Sequence, residues 1–281
     1  MTTTLPLTIV TDPEDEGAAS VFVDVECDGR MLPFLLDTGA AHSRTSAGRR
    51  RGSAANPPTA AAASRGALGG RPTSHARTVI DALVWGTGAE PVTLHGVEME
   101  STEEDAPGPA HVLGLDVLAR HRLDLFYSTA RLTVDAPERP TPSAHLVLSS
   151  HGHPHIELEW DGVRVRALLD TGASVTVVDN DFASRHRHLL ARRGVHDGTD
   201  DYGASARTPM AMLAGPRVGG RSFRPSMAAI APIRGIQPEG DPDFDVILGH
   251  PLLSQADWSL DLPGRRWSFL DELDADRSLI E

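Results

Sequence analysis

The six residues Leu35-Leu36-Asp37-Thr38-Gly39-Ala40 recur unchanged as Leu168-Leu169-Asp170-Thr171-Gly172-Ala173, 133 positions further along the chain. At ordinary residue frequencies such an identical pair arises by chance in on the order of one chain of this length in a hundred or fewer. Other features keep nearly the same spacing. Asp28-Gly29 and Asp161-Gly162 precede the two hexapeptides at equal distances. Val112-Leu113-Gly114 and Ile247-Leu248-Gly249 follow them, and Leu123-Asp124-Leu125 and Leu260-Asp261-Leu262 come next. Four matches in register describe a duplicated domain, so the chain must fold as two similar halves.

Each half reads as β-structure. Val21, Val23 and Val25 recur at every second position in the first copy, and Ile156, Leu158 and Trp160 do so in the second. Each run ends at Asp-Gly, a strong short-range hairpin signal. A strand, a tight turn and a second strand therefore carry each Asp-Thr-Gly to a strand end. Val117-Leu118 and Leu252-Leu253, just after each Leu-Gly, give the only clear helix signal in either copy. The Pro-rich stretch Ala136-Pro137-Glu138-Arg139-Pro140-Thr141-Pro142 is the natural linker. It divides the chain into 1–138 and 139–281. The single cysteine, Cys27, falls within the Val21–Cys27 strand pattern and reads as a strand residue; one cysteine allows no internal disulfide, which fits a reducing compartment.

An apolar pair before Asp-Thr-Gly-Ala, followed later by an apolar pair and Gly ahead of a short helix, resembles the aspartic peptidases. The closer resemblance is to the retroviral-type, retropepsin-like branch, because Ala follows Gly in both copies and each copy is short. Val246-Ile247-Leu248-Gly249-His250-Pro251-Leu252-Leu253-Ser254-Gln255 is especially similar to the C-terminal strand and helix of a retropepsin. Retropepsins are homodimers with one Asp per subunit, whereas here both halves lie on one chain, as in the pepsin-like branch. The resemblance implies an all-β fold of two tandem lobes related by a pseudo-two-fold axis, with the active-site cleft between them. It also implies a monomer that needs no metal and no organic cofactor.

The chemistry implied is amide hydrolysis by two carboxylates. Two Asp side chains some 3 Å apart cannot both ionise cheaply, so they share one proton and titrate as a unit. The ionised member takes a proton from a bound water while the protonated member donates to the scissile carbonyl oxygen. Asp37 and Asp170 are the expected dyad. By the same resemblance the Thr38 and Thr171 hydroxyls bond across to the opposite loop. Gly39 and Gly172 allow close approach of backbone N–H groups to the carboxylates, and Ala40 and Ala173 complete the two loops. Gly114 and Gly249 let the following strand pass tightly against the Asp loops. Retropepsins cover the substrate with β-hairpin flaps, for which the candidates are Tyr202-Gly203 within 200–204 and Gly69-Gly70 within 66–70. The first copy departs from the apolar family pattern after its Asp motif, where Ala41-His42-Ser43-Arg44-Thr45 places Arg44 in the position that Val177 holds in the second.

Charge and composition close off other classes. With 39 Asp and Glu against 26 Arg and no Lys, the net charge is −13, which opposes binding to a phosphate backbone. No apolar run approaches the roughly 20 residues a bilayer span needs, and the first residues show neither a basic nor a long apolar leader segment. A cytoplasmic enzyme acting on peptide or protein, with no nucleic-acid or membrane partner, is the expectation. The cluster His151-Gly152-His153-Pro154-His155 has no histidine in its repeat counterpart and reads as a hairpin connection rather than a metal site. No Gly-x-Gly-x-x-Gly, Walker loop or Gly-x-Ser-x-Gly elbow occurs. Two alternatives stay open at the level of sequence: a dyad spent on non-hydrolytic proton transfer, as in an epimerase or cyclase acting on a peptide, and a catalytically silent peptide-binding module.

Overall fold

The computed structural model describes residues 3–13, 15–46, 63–64, 73–74, 76–86, 91–102, 108–137, 143–199, 205–237 and 240–270. The first half comprises β1 (Thr3–Thr11), β2 (Ala19–Cys27), β3 (Arg30–Leu36), β4 (Arg44–Thr45), β5 (Ala63–Ser64), β6 (Thr73–Ser74), β7 (Ala76–Trp85), β8 (Val92–Ser101), β9 (His111–Leu113), α1 (Leu115–Leu118), β10 (Arg122–Phe126) and β11 (Arg131–Val134). The second comprises β12 (Ala144–His145), β13 (Val147–Leu148), β14 (Pro154–Trp160), β15 (Val163–Leu169), β16 (Thr176–Asp179), α2 (Asn180–Arg185), β17 (Leu190–Thr199), β18 (Ser205–Leu213), β19 (Arg217–Val218), β20 (Arg221–Ser222), β21 (Ser226–Ala231), β22 (Val246–Leu248), α3 (His250–Leu253), β23 (Trp258–Asp261) and β24 (Arg266–Phe269). The chain is mostly β, as its alternating patterns predict.

Local chemistry explains the repeated hairpins. In β2 the side chains of Val21, Val23, Val25 and Cys27 all point into the core, one face of a period-2 strand. Burial pushes the Cys27 thiol up to about 11, with the Asp28 charge adding to the effect, so it packs as an apolar strand residue and not as a thiolate. The turns that follow have positive φ at both central residues, 48° and 79° at Asp28-Gly29 and 39° and 83° at Asp161-Gly162. Asp-Gly tolerates that geometry, and its twist matches the flanking strands.

The same crossing pattern then appears twice. In the first half β9 lies parallel to β3 and antiparallel to β4, and β4 lies parallel to β8. In the second half β22 lies parallel to β15 and antiparallel to β16, and β16 lies parallel to β21. The order β2-β3-β9-β4-β8-β7, closed by pairing of β7 with β2, makes a six-stranded barrel in the first half. In the second, β19 pairs with β14 through Glu159 and Arg217 in the place where β7 meets β2.

A single sheet joins the halves. Its order β12-β24-β23-β10-β11-β1 is symmetric about the β10–β23 pair, where Leu123 faces Leu260 and Leu125 faces Trp258. The repeated Leu-Asp-Leu segments are therefore the strands that meet at the pseudo-two-fold axis. Asp124, with no exposed surface, accepts from Ser259 Oγ at 2.6 Å and from Arg122 Nε at 3.3 Å. The proposed division at 138/139 falls in residues 138–142, outside the described ones. One element escaped the sequence pattern: α2 follows β16, capped by the Asp179 side chain, which accepts from Asp181 N–H at 2.9 Å. Only Phe182 of its six residues is buried, so it leaves no apolar periodicity to detect.

Ser259→Ala removes the nearer of two donors to a buried carboxylate at the seam between lobes. A loss of about 1–3 kcal/mol in unfolding free energy is expected, measured by urea denaturation of the variant against the parent chain.

Candidate active site

Each Asp sits on a loop that its own lobe holds from below. Asp37 follows β3, and its N–H donates to Leu113 O at 3.1 Å; the loop then crosses over the start of α1, where Leu115 N–H donates to Ala40 O at 2.8 Å. Asp170 follows β15 in the same way, with Asp170 N–H on Leu248 O at 3.2 Å and His250 N–H on Ala173 O at 2.9 Å. These crossings leave no space for a side chain on the strand below. A Cβ on Gly114 would lie 2.7 Å from the His42 carbonyl carbon, and one on Gly249 would lie 2.8 Å from Ala173 O.

Across the pseudo-two-fold axis the two loops are locked reciprocally. Thr38 Oγ1 donates to Leu169 O at 2.7 Å and accepts from Thr171 N–H at 3.1 Å. Thr171 Oγ1 donates to Leu36 O at 2.7 Å and accepts from Thr38 N–H at 3.1 Å. Both threonines are buried, so these bonds run without competition from water.

The threonine lock brings each carboxylate over the opposite loop. A Cβ on Gly172 would fall 2.6 Å from either oxygen of Asp37, and one on Gly39 would fall 2.7 Å from Asp170 Oδ1. Nothing larger than glycine fits at 39 or 172 while the carboxylates keep these places. The Oδ1 of Asp37 accepts from the N–H groups of Gly39 and Ala40 at 2.8 and 2.9 Å. The Oδ1 of Asp170 accepts from Gly172 and Ala173 at 2.9 and 3.1 Å. The structure thus brings together Asp37, Thr38, Gly39, Ala40, Asp170, Thr171, Gly172 and Ala173. The flap candidates lie outside the described residues. Tyr202-Gly203 falls in the connection between β17 and β18, which pair from Leu190↔Leu213 to Thr199↔Ser205. Gly69-Gly70 falls in the connection between β5 and β6, which pair through Ala63↔Ser74 and Ser64↔Thr73.

The two halves of the site differ in their surroundings. Asp37 is 3% exposed and Asp170 is half-buried. Tyr127 is buried close enough to Asp170 that burial first, and that carboxylate second, push its phenol upward. Its ring packs against His250 at 5.8 Å, and His250 Nδ1–H donates to Gly17 O at 3.1 Å. On the other side His153 approaches the Gly39 loop. Burial, reinforced by His155 and His151, lowers it to about 4, so its imidazole is neutral near pH 7.

The irregular stretch after the first motif has a physical explanation. Ser43 N–H reaches both oxygens of Asp116 at 2.9 Å, Ser43 Oγ donates to Asp116 Oδ1 at 2.5 Å, and Gly114 N–H donates to Ser43 Oγ at 2.9 Å. Arg44 faces Glu100 in the β4–β8 register, and both are buried. Thr45 Oγ1 meets His111 Nδ1 at 2.9 Å. In the second half Thr176 and Pro251 stand where Ser43 and Asp116 stand in the first, so that brace is absent there. Sequence reasoning missed Ser43, Asp116, Tyr127 and His250, whose only visible signal was that the two copies differ at those positions.

Paired Asp-Thr-Gly loops facing each other between two crossed-strand lobes define the aspartic-protease fold. Residues 156–252 match the family model described as "Aspartyl protease". The resemblance read from the repeated motifs is therefore borne out. Three solved structures are similar in fold. An aspartic proteinase from Irpex lacteus superposes with a TM-score of 0.58 at 12% identity, covering 96% of this chain and 97% of that one. Conglutin gamma, a basic 7S globulin from lupine seeds, gives 0.55 at 12% identity over 95% and 94%. Basic 7S globulin from soybean gives 0.53 at 12% identity over 95% and 94%. No curated protein matches the chain in sequence.

The reciprocal threonine bonds make a specific prediction. Thr38→Val or Thr171→Val leaves a buried N–H without its acceptor and a carbonyl without its donor, and should cost about 2–4 kcal/mol of stability. Thr→Ser at either position keeps the hydroxyl and should cost about 1 kcal/mol or less. Calorimetric melting of the four variants separates the hydrogen bonds from the lost methyl.

Proposed function

We propose that the protein is an aspartic endopeptidase that hydrolyses peptide bonds through Asp37 and Asp170 and a water activated between them. The supporting observation is the contact of each carboxylate with the glycine of the opposite loop, held by the Thr38–Thr171 lock. Two acids so close share one proton, which gives a base and an acid on opposite sides of one water. The ionised member takes the proton of the water as its oxygen attacks the scissile carbonyl carbon. The protonated member donates to the carbonyl oxygen, producing a tetrahedral diol. Collapse of the diol, with a proton delivered to the amine, breaks the carbon–nitrogen bond. Backbone N–H groups of residues 39, 40, 172 and 173 hold the carboxylates in place throughout.

The chain supplies both halves of the site and the sheet that joins them, so the working species in this reading is a monomer. A peptide or protein is the substrate, and the chemistry calls for no metal or organic cofactor. No described helix is long and apolar enough to cross a membrane. A cytoplasmic location remains part of the proposal, resting on the single reduced, buried Cys27.

Asp37→Asn and Asp170→Asn test the assignment. Each should lower kcat by at least about a thousandfold while leaving the melting temperature within a few degrees, because the two acids act as one unit. Retention of more than a few per cent of turnover by either folded variant would contradict the dyad.

A further inference from the structure

The strands that carry and cross beneath each Asp loop turn one row of side chains to the lobe core and the alternate row away from it. In the second half Leu169, Val178 and Leu248 belong to the main core. Leu168, Ile247 and Val177, which alternate with them, stand in one register line across β15, β22 and β16, and the line continues to Ala229 in β21. Leu168 and Ile247 form, with Ala231, Ile233 and Phe244, an apolar cluster of their own, against which Val177 and Ala173 pack. Ala173 is part of the Asp170 loop and donates its N–H to that carboxylate at 3.1 Å. The row turned away from the core therefore lines the Asp170 side of the site.

The first half builds the same row from different chemistry. Leu35, Val112, Arg44 and Glu100 stand in register across β3, β9, β4 and β8. Leu36 and Leu113, next to the first two, belong to the main core, so this row also turns away from it. Arg44 holds the place of Val177 and Glu100 that of Ala229, while Thr102, two residues beyond Glu100, holds that of Ala231. All three polar residues are buried. Opposite charges buried side by side contribute little net stability compared with apolar residues in the same place, and the second half closes the same row with Val177 and Ala229. The duplicated fold therefore does not require the charges.

We infer that Arg44 and Glu100 select the substrate: the first-lobe row takes a carboxamide side chain, Asn or Gln, and the apolar second-lobe row takes an aliphatic or aromatic one at the matching position across the scissile bond. A guanidinium carries several N–H donors and a carboxylate several acceptor sites, more than one such pair can satisfy between them. A carboxamide offers an acceptor and donors in one plane, so it serves both groups at once. A charged side chain of either sign would meet a like charge, and an apolar one would cover polar groups without replacing their hydrogen bonds with water. Both residues act on specificity, and neither takes part in the chemistry. The inference rests on the peptidase reading given above, since it names the substrate class of that same site.

Cleavage of an unbiased peptide library, with the product termini read by mass, tests the inference. The parent chain should favour Asn or Gln over Leu by about tenfold in kcat/KM at one position, and apolar residues at its mirror across the cut. Arg44→Val with Glu100→Ala copies the second-lobe row into the first and should make the profile apolar on both sides. Glu100→Gln keeps the shape of the side chain and removes its charge, so the preference should move from Gln to Glu by a similar factor. That variant decides the matter if the double substitution does not fold. A parent profile without the carboxamide preference, or the same preference in the folded variants, would overturn the inference. If the parent chain cleaves nothing, the peptidase reading fails, and the library peptides that the parent and Glu100→Gln chains retain on an ultrafiltration membrane still decide the row. Enrichment of Asn and Gln on the parent that gives way to Glu on the variant supports it, and equal enrichment on both, or none, overturns it.

Discussion

Two threonine hydroxyls at the pseudo-two-fold axis hold this structure in its working arrangement. Each hydroxyl donates to a carbonyl of the opposite lobe and accepts an N–H from it, so four bonds cross between lobes within a few ångströms of the carboxylates. Buried, charge-free and reciprocal, they fix a separation that two flexible loops could not keep. Glycine at 39 and 172 follows from that separation, because each lies against the facing carboxylate. Glycine at 114 and 249 follows from the strand crossing beneath.

Symmetry builds the frame, and departures from symmetry give the site its character. The shared sheet, the Asp-Gly turns and the strand crossings recur almost residue for residue. The surroundings of the two acids do not. Asp37 is buried, and the stretch after its loop is braced by Ser43 and Asp116, while Asp170 is more open and has Tyr127 and His250 near it. Two carboxylates that share a proton gain from unequal environments, since inequality decides which one holds it.

Much of this was legible in the chain. The repeated hexapeptide located both acids, and Asp-Gly between alternating runs located both hairpins. The Leu-Gly segments located the strands that thread beneath the Asp loops, since their glycines answer to a backbone contact that is the same in each copy. What stayed hidden depends on contacts between positions far apart in sequence. The polar run 41–45 looked like a defect because Asp116, Glu100 and His111, which accompany it, lie 56 to 73 residues away. Helix α2 left no periodicity because it buries one side chain. Asp15, in the acidic turn between β1 and β2, pairs with His196 in β17 of the other lobe at 2.6 Å, and nothing in either segment announces the other.

The central claim is that the facing carboxylates direct a water at a peptide carbonyl, and isotope incorporation tests it most directly. The purified protein is incubated with a peptide library in water enriched in oxygen-18, and products are read by mass at early times. The account predicts new termini, with a single labelled oxygen on each new carboxyl group and no labelled or trapped acyl-enzyme. Peptides of unchanged mass with altered retention, or no products from the folded parent chain, would contradict it.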